Sequence, residues 1–324
     1  MNASPLLVAD VGGTHARFGI TELQAGMRPL LNNRLDLDTQ QFPSFAQALK
    51  YYVTQIGSVS LPRAAAIAAA GPVIDGRVEL TNSQWSICDS ELRELGFEKS
   101  ILINDFEALA HSIQTLEPGD VRSIGPEQHG AESWPISILG AGTGFGVACL
   151  VRHGAQAIPL ITEGGHIAFA PTDDEQVRIL QKLRRRFERV SVERILSGAG
   201  LESLYQIEQG FAGSEAAIMS AAELTARAMQ GEPHCWKTIS LFCSIYGAVA
   251  GDIALAHGAR GGVIVAGGIA QKIEPLLLAS TFREHFESKG RLSRYVQSIP
   301  TKLLIDPDAA LRGAARAAVE TWQS

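Results

Sequence analysis

The segment Leu6-Leu7-Val8-Ala9-Asp10-Val11-Gly12-Gly13-Thr14 decides how this chain is read. An apolar run of this length, closed by two glycines, predicts a buried strand ending in a tight turn. The residues that follow, Ala16 to Thr21, set Phe18 and Ile20 in alternation and predict the return strand of a hairpin. Asp10 then sits at the end of the buried strand, ahead of three residues whose backbone N–H groups can approach an anion. Glycine allows that approach because it has no side chain. An acid beside a phosphate calls for a cation between them, so Asp10 implies Mg²⁺ held through water.

The pattern recurs. Ile136–Leu139 reads as a strand, Gly140 to Gly144 as a glycine-rich turn with the hydroxyl of Thr143 added, and Val147–Val151 as the return strand. A strand–glycine turn–strand unit found at Asp10–Ile20 and again at Leu139–Leu150 implies two related α/β halves. Two facing glycine hairpins can grip a polyphosphate from both sides. Either turn taken alone is equally an ordinary tight hairpin.

Between and beyond these hairpins the periodicity alternates between strand and helix. Strands are expected near Leu30–Leu37 and at Ala64–Ala70, Ser100–Ile103, Ala157–Ile161, Gly262–Ala266 and Leu303–Ile305. Helical spacing joins Phe45, Leu49, Tyr52, Val53 and Ile56, with Gly57 as a stop. Short helices are expected at Ser90–Leu95 and Phe106–Ser112, and a closing helix at Ala309–Trp322. The most regular helix runs from about Trp236 to His257, with Ile239, Phe242, Cys243, Tyr246, Val249, Ala250 and Ile253 on one face. Gly247 and Gly251 within it imply a close helix crossing. Lys182, Arg184, Arg185, Arg186 and Arg189 follow Asp173-Asp174-Glu175 on one expected helix, where acidic start and basic end suit the helix dipole.

Composition narrows the function classes. The 324 residues suit two domains, and 46% hydrophobic against 19% charged residues excludes a disordered chain. A net charge of -6 makes nucleic acid or an anionic membrane a poor electrostatic match for this chain. Cys88, Cys149, Cys235 and Cys243 form no C-x-x-C pair and read as small apolar residues in a reducing compartment. No signal peptide is legible at the N-terminus. The longest apolar stretch, Ala64 to Ile74, is shorter than the roughly 20 residues needed to cross a bilayer. A cytoplasmic location is therefore expected.

Several motifs are missing. No lysine follows a glycine, so there is no P-loop. Gly140-Ala141-Gly142-Thr143-Gly144-Phe145 has Phe145 where the dinucleotide fingerprint needs glycine. H-E-x-x-H, G-x-S-x-G and the protein-kinase catalytic loop are absent.

Three further constellations carry chemistry. Asn104-Asp105 closes a strand, where Asp105 can act as a general base and Asn104 can bind a substrate hydroxyl; an Asn-Asp pair is also an ordinary helix cap. Glu163-Gly164-Gly165-His166 sets an acceptor and a donor/acceptor apart by two glycines, which suits paired sugar hydroxyls. Glu193, in Ser191-Val-Glu-Arg-Ile-Leu-Ser-Gly198, stands at a helix start and reads equally as a capping glutamate.

Taken in order, Asp10-Val-Gly-Gly-Thr14, Thr81-Asn82, Ile103-Asn-Asp-Phe106, Gly140-Ala-Gly-Thr-Gly144, Glu163-Gly-Gly-His166, Glu193-Arg-Ile-Leu-Ser-Gly198 and Ala266-Gly-Gly-Ile269 closely resemble the bacterial glucokinases of proteobacterial type. That family lies within the sugar kinase/actin/heat-shock-chaperone ATPase superfamily, and the resemblance spans essentially the whole chain. It implies a two-domain α/β, ribonuclease-H-like (actin-like ATPase) fold with an interdomain cleft. Residues 1–115, completed by the C-terminal helix 308–324, would form the small domain, and residues 116–307 the large one. It implies ATP and Mg²⁺ as cofactors and glucose as substrate, without nucleic acid or membrane partners, in a homodimer. Ala9, Asp10, Val11, Gly12, Gly13 and Thr14 would bind ATP phosphates, while Gly140, Gly142, Thr143, Gly144, Gly267 and Gly268 flank the nucleotide. Asn82, Asn104, Asp105, Glu163, His166 and Glu193 would contact glucose, with Asp105 as the catalytic base.

The chain departs from the family pattern at His15, where Asn is more usual, and at Ala199, where Ser-Gly-Pro is common. No cysteine-rich zinc motif is present, so no structural zinc is expected. Two alternatives stay open. A kinase for another hexose or an amino sugar fits the same residues. A non-catalytic sugar-sensing regulator would carry a DNA-binding module ahead of residue 9, where little chain precedes the phosphate loop.

Overall fold

The computed structural model of the protein describes residues 4–22, 27–57, 61–80, 83–131, 133–153, 156–211 and 219–323. The chain divides into two compact units, Met1–Pro118 with Asp306–Ser324, and Gly119–Ile305.

The first unit contains β1 (Pro5–Val11), β2 (His15–Glu22), β3 (Asn32–Asp38), β4 (Ala64–Ala69), β5 (Arg77–Glu79), β6 (Ser86–Cys88) and β7 (Lys99–Asn104). Five of these form a sheet in the order β3-β2-β1-β4-β7. The first three run as an antiparallel meander, and β4 and β7 add parallel to β1. Strand alternation feeds two cores. Leu7, Ala9 and Val11 of β1 and Ala65, Ile67 and Ala69 of β4 face Phe18, Phe45, Leu49 and Tyr52. Leu6 and Val8, with Ala66 and Ala68, face the other way onto Leu311, Ala314, Ala315 and Ala318 of the C-terminal helix Ala309–Gln323. A strand buried on both faces reads as a continuous apolar run, which is why β1 and β4 lack polar alternation.

Helix Phe45–Gln55 covers the first face. Ser44 caps it, and Tyr52 stacks on Phe18 at 5.1 Å between ring centroids while its hydroxyl donates to the Asn33 carbonyl at 2.9 Å. Burying a residue such as Leu49 here contributes about 1.5–3 kcal/mol. On the second face the C-terminal helix crosses helix Asp105–Ser112 closely enough that a Cβ at Gly313 would overlap the Ala108 carbonyl. The β5–β6 hairpin escapes the sequence reading, because three-residue strands are too short to show a period.

The second unit contains β8 (Val121–Ser123), β9 (Ile136–Ala141), β10 (Phe145–His153), β11 (Gln156–Thr162), β12 (Gly262–Ala266) and β13 (Thr301–Leu304). Its sheet order is β11-β10-β9-β12-β13-β8. Again a meander is followed by two parallel additions, β12 on β9 and β13 on β12, with β8 as an extra antiparallel edge. The strand–glycine turn–strand repeat thus marks equivalent places in the meanders of the two sheets.

Helix Pro233–His257 forms the centre of this unit's core. Pro233 occupies its first turn, Glu232 accepts from the Cys235 N–H at 2.6 Å, and Gly258 ends it in the left-handed region at φ 60°. The one-face reading of this helix is corrected: Leu241, Ile245, Ala248 and Ala254 are buried as well as the expected residues, so it is enclosed on nearly every side. Among the described residues it is the one helix long and apolar enough to cross a membrane. However, 78% of its most apolar window is buried inside the protein. The expected close crossing is present, since a Cβ at Gly247 would overlap the Phe282 carbonyl and one at Gly251 the Phe286 carbonyl. Tyr246 meets Phe145, Phe242 and Phe282 edge-to-face at 5.5, 5.9 and 5.7 Å.

The basic run is also corrected. Helix Asp174–Leu183 stops with Arg184 as its C-cap, so of the expected cations only Lys182 lies on it. The acidic start is real, with Asp173 accepting from the Gln176 N–H at 2.8 Å.

Candidate functional site

In the first unit the candidate residues share the C-terminal edge of the parallel strands. Asp10 of β1 pairs with Ala68 of β4, and Ala69 pairs with Asn104 of β7. This edge is where open α/β sheets bind ligands, because the strand ends and following turns leave a crevice there.

Asn104 is the N-cap of helix Asp105–Ser112. Its Oδ1 accepts from the Phe106 N–H at 2.8 Å and the Glu107 N–H at 3.4 Å, and its Nδ2 donates to the Gly71 carbonyl at 2.9 Å. The capping reading therefore holds for this side chain, and it leaves one amide proton for a ligand. Asp105 is the first helical residue, with Oδ1 accepting from the Phe106 N–H at 3.0 Å. Burial, assisted by the charge of Asp10, pushes its carboxyl up to about 7.

Asp10 is itself raised by burial, against the opposing pull of Arg17. The Arg17 guanidinium donates to Asp10 at 3.1 Å and reaches Asp36 at 3.4 Å, and His15 Nδ1 lies 3.1 Å from the other Asp36 oxygen. Asp10, Arg17 and Asp36 are successive cross-strand partners on β1, β2 and β3, so the sheet register builds this ladder. His15, in place of the more usual Asn, joins it through Asp36.

The turn Gly12–Thr14 joins β1 to β2. The Gly12 N–H donates to the His15 carbonyl at 2.8 Å, and a Cβ at Gly12 would lie 3.6 Å from that oxygen, an ordinary contact. Sequence reasoning missed Thr39, whose N–H donates to the Thr14 carbonyl at 3.0 Å and whose hydroxyl donates to the Gly13 carbonyl at 2.8 Å.

In the second unit three glycine segments converge. The turn between β9 and β10 is Gly142–Gly144, two residues shorter at its start than its reading, because Gly140 and Ala141 still pair with Gly146 and Phe145. The Gly142 carbonyl accepts from the Gly198 N–H at 2.9 Å, and Thr143 stands exposed at the apex. Glu193 accepts from the Phe145 N–H at 2.9 Å, and a Cβ at Gly144 would overlap its carboxylate. Glu193 is thus a brace on this turn rather than a cap on its own helix. At Gly267, φ 90° and the nearby Ala141 carbonyl leave no place for a side chain, and Gly268 opens helix Gly268–Lys272 beside the turn.

Glu163 and His166 flank a short turn whose glycines press on β10: a Cβ at Gly165 would overlap the Phe145 carbonyl, and one at Gly164 would meet Val147. The turn projects both side chains outward, with His166 Nε2 3.8 Å from Glu163 Oε2 and exposures of 57% and 72%. Arg189, left over from the basic run, donates to the His166 carbonyl at 2.7 Å, and the Val192 N–H donates to the Ile167 carbonyl at 2.9 Å. These bonds tie the Glu163–His166 turn to the segment bearing Glu193. Asn82 lies outside the described residues.

Two sheets that each join a three-stranded antiparallel meander, bent by a glycine turn, to two parallel strands define a sugar kinase-type protein of the actin-like ATPase fold. The family model described as Glucokinase matches residues 7–321. A curated glucokinase of Caulobacter sp. (strain K31) is 45% identical over 310 residues, covering 95% of this chain and 93% of that protein. A solved glucokinase from an Antarctic psychrotroph superposes with a TM-score of 0.83 at 36% identity, over 97% of this chain and 98% of that one. A ROK family glucokinase from Streptomyces griseus, solved with glucose and AMPPNP, shares the fold at a TM-score of 0.64 and 17% identity, over 97% of this chain and 98% of that one. The chain belongs to the glucokinase family.

Proposed function

We propose that this protein transfers the γ-phosphoryl group of ATP to the 6-hydroxyl of D-glucose, giving glucose 6-phosphate and ADP and so feeding glycolysis. The observation that carries the residue-level reading is Asp105, a carboxyl at a strand end whose pKa stands near 7. A base poised there is matched to neutral operating pH. Asp105 takes the hydroxyl proton as the sugar oxygen bonds to the γ-phosphorus and the bond to the ADP oxygen breaks. The remaining amide proton of Asn104, Glu163 and His166 hold sugar hydroxyls, and Glu193 offers its second oxygen to the sugar. The backbone of residues 9–14 holds phosphate, with Gly140, Gly142, Thr143, Gly144, Gly267 and Gly268 along the nucleotide. Phosphoryl transfer offers a protein little covalent chemistry, so positioning and electrostatics dominate.

Mg²⁺ fits the residues present. Among the described residues no cluster of three metal-ligating side chains exists, while Asp10 offers one partly exposed carboxylate. That donor set suits an ion kept mainly by water and phosphate oxygens, with Asp10 acting through water. When bound, the ion neutralises charge on the triphosphate.

Four free cysteines, three of them buried, support a reducing, cytoplasmic setting. The edge strand β11 exposes Ile158, Leu160 and Ile161, which supports pairing with a second copy in a homodimer. The two compact units serve as the small and large domains.

ADP production in a coupled assay tests the reading, with glucose, mannose, fructose and no sugar as parallel arms. Glucose-dependent ADP release is expected. Equal turnover without sugar overturns the reading in favour of a plain ATPase, and preference for another hexose overturns the substrate.

A further inference from the structure

We infer that Thr39 is a positioning residue for ATP, aiming the Thr14 and His15 amides at the end of the Gly12–Thr14 turn. The inference rests on the reading of that turn as the phosphate site. β3 ends at Asp38, whose register partner on β2 is His15, so the next residue overhangs the turn. Asp38 fixes the local geometry by accepting from the Gln40 N–H at 2.9 Å, and the Phe42 N–H donates to the Thr39 carbonyl at 3.2 Å. Thr39 is only 3% exposed.

From this anchored position Thr39 takes two successive carbonyls of the turn. Its hydroxyl donates to Gly13 at 2.8 Å and its N–H to Thr14 at 3.0 Å. A trans peptide points its N–H opposite to its C=O. Fixing the Gly13 carbonyl on Thr39 therefore turns the Thr14 N–H away from Thr39. Fixing the Thr14 carbonyl orients the next peptide in the same way. Glycine at positions 12 and 13 gives the turn freedom to rotate these peptides, and the two bonds from Thr39 remove it. Amides that already face a phosphate cost less ordering when ATP binds.

The test compares Thr39→Val, Thr39→Ser and Gly12→Ala by steady-state kinetics against both substrates, with a thermal melt of each. Valine keeps the shape and the backbone N–H but removes the hydroxyl donor. Thr39→Val is expected to raise KM for ATP roughly three- to tenfold, the scale of one hydrogen bond, and to leave KM for glucose unchanged. Thr39→Ser is expected to restore KM for ATP to within about twofold of the parent. Gly12→Ala has room within the protein, so a rise in its KM for ATP reports an obstructed ligand rather than a damaged fold. If Gly12→Ala weakens ATP and Thr39→Val only lowers the melting temperature, Thr39 is merely structural and the inference fails alone. If neither changes KM for ATP, the turn is not the phosphate site and the reading beneath it fails too.

Discussion

Asp10 and Asp105 stand on one edge of the first sheet, with β4 between their strands, and the charge of Asp10 adds to burial in raising the carboxyl of Asp105. Arg17 compensates Asp10 directly at 3.1 Å. The two acids are thereby differentiated: one is held by a guanidinium, and the other is left with a proton it can exchange near neutral pH. Divergent environments for neighbouring carboxyl groups are how acid and base roles are assigned.

Replacing the proposed base should separate chemistry from binding. Asp105→Asn is expected to keep glucose affinity near that of the parent and to lose kcat by about 10² or more, since positioned base catalysis contributes about 10²–10⁴-fold. Glucose titration with single-turnover kinetics reads both quantities. A kcat within a few-fold of the parent removes Asp105 from the role.

The raised carboxyl also fixes the pH dependence. The base must be ionised, so kcat/KM for glucose should climb with pH and level off above about 7. Stability moves in the other direction. The folded value of about 7 lies above the unfolded 3.8, so across that window the unfolded chain releases a proton that the folded chain retains. This contribution to stability is present below the window and is lost as pH rises through it. Asp105→Asn lacks the loss, so its melting temperature relative to the parent should rise from about pH 4 to about pH 7 and then plateau. A difference independent of pH would contradict the raised carboxyl.

Glu193 predicts a variant pair with different outcomes. Glu193→Gln keeps an acceptor for the Phe145 N–H, so KM for ATP should stay near the parent value while glucose binding weakens. Glu193→Ala releases the Gly142–Gly144 turn as well, and KM for ATP should rise by roughly tenfold or more, the scale of one charged hydrogen bond. Glu163→Gln and His166→Ala should weaken glucose binding alone. If Glu193→Ala leaves KM for ATP untouched, the brace has no functional consequence.

Stability of the second unit should be sensitive at Gly247. Alanine gains about 1 kcal/mol of helix propensity. Its Cβ, however, would overlap the backbone carbonyl of Phe282, which has no rotamer to yield. The overlap should win, with a net loss of about 1–3 kcal/mol and a lower melting temperature. A melt at or above that of the parent would show that the helix crossing relaxes at little cost.

The strands β1 and β4, the helix Pro233–His257 and the glycine turns were legible because each is a local pattern: unbroken apolar runs, helical spacing and glycines at strand ends. Asn104 and Asp105 were legible for the same reason, as a polar pair closing an apolar strand. The three-residue strands β5, β6 and β8 were not, because three residues are too few to show a period, and β8 is held by β13, far away in sequence. The helix Pro233–His257 read as one-faced because sequence spacing cannot show how many neighbours enclose it.

Sequence alone thus determined the longer strands and helices, the duplicated hairpin and the candidate chemical groups, since hydrophobic period and backbone freedom are properties of neighbouring residues. Tertiary structure decided which groups act on which. It set Thr39 over the Gly12–Thr14 turn, Glu193 under Phe145 and Asp36 against Arg17, because sheet register and long-range packing join residues that no local pattern connects.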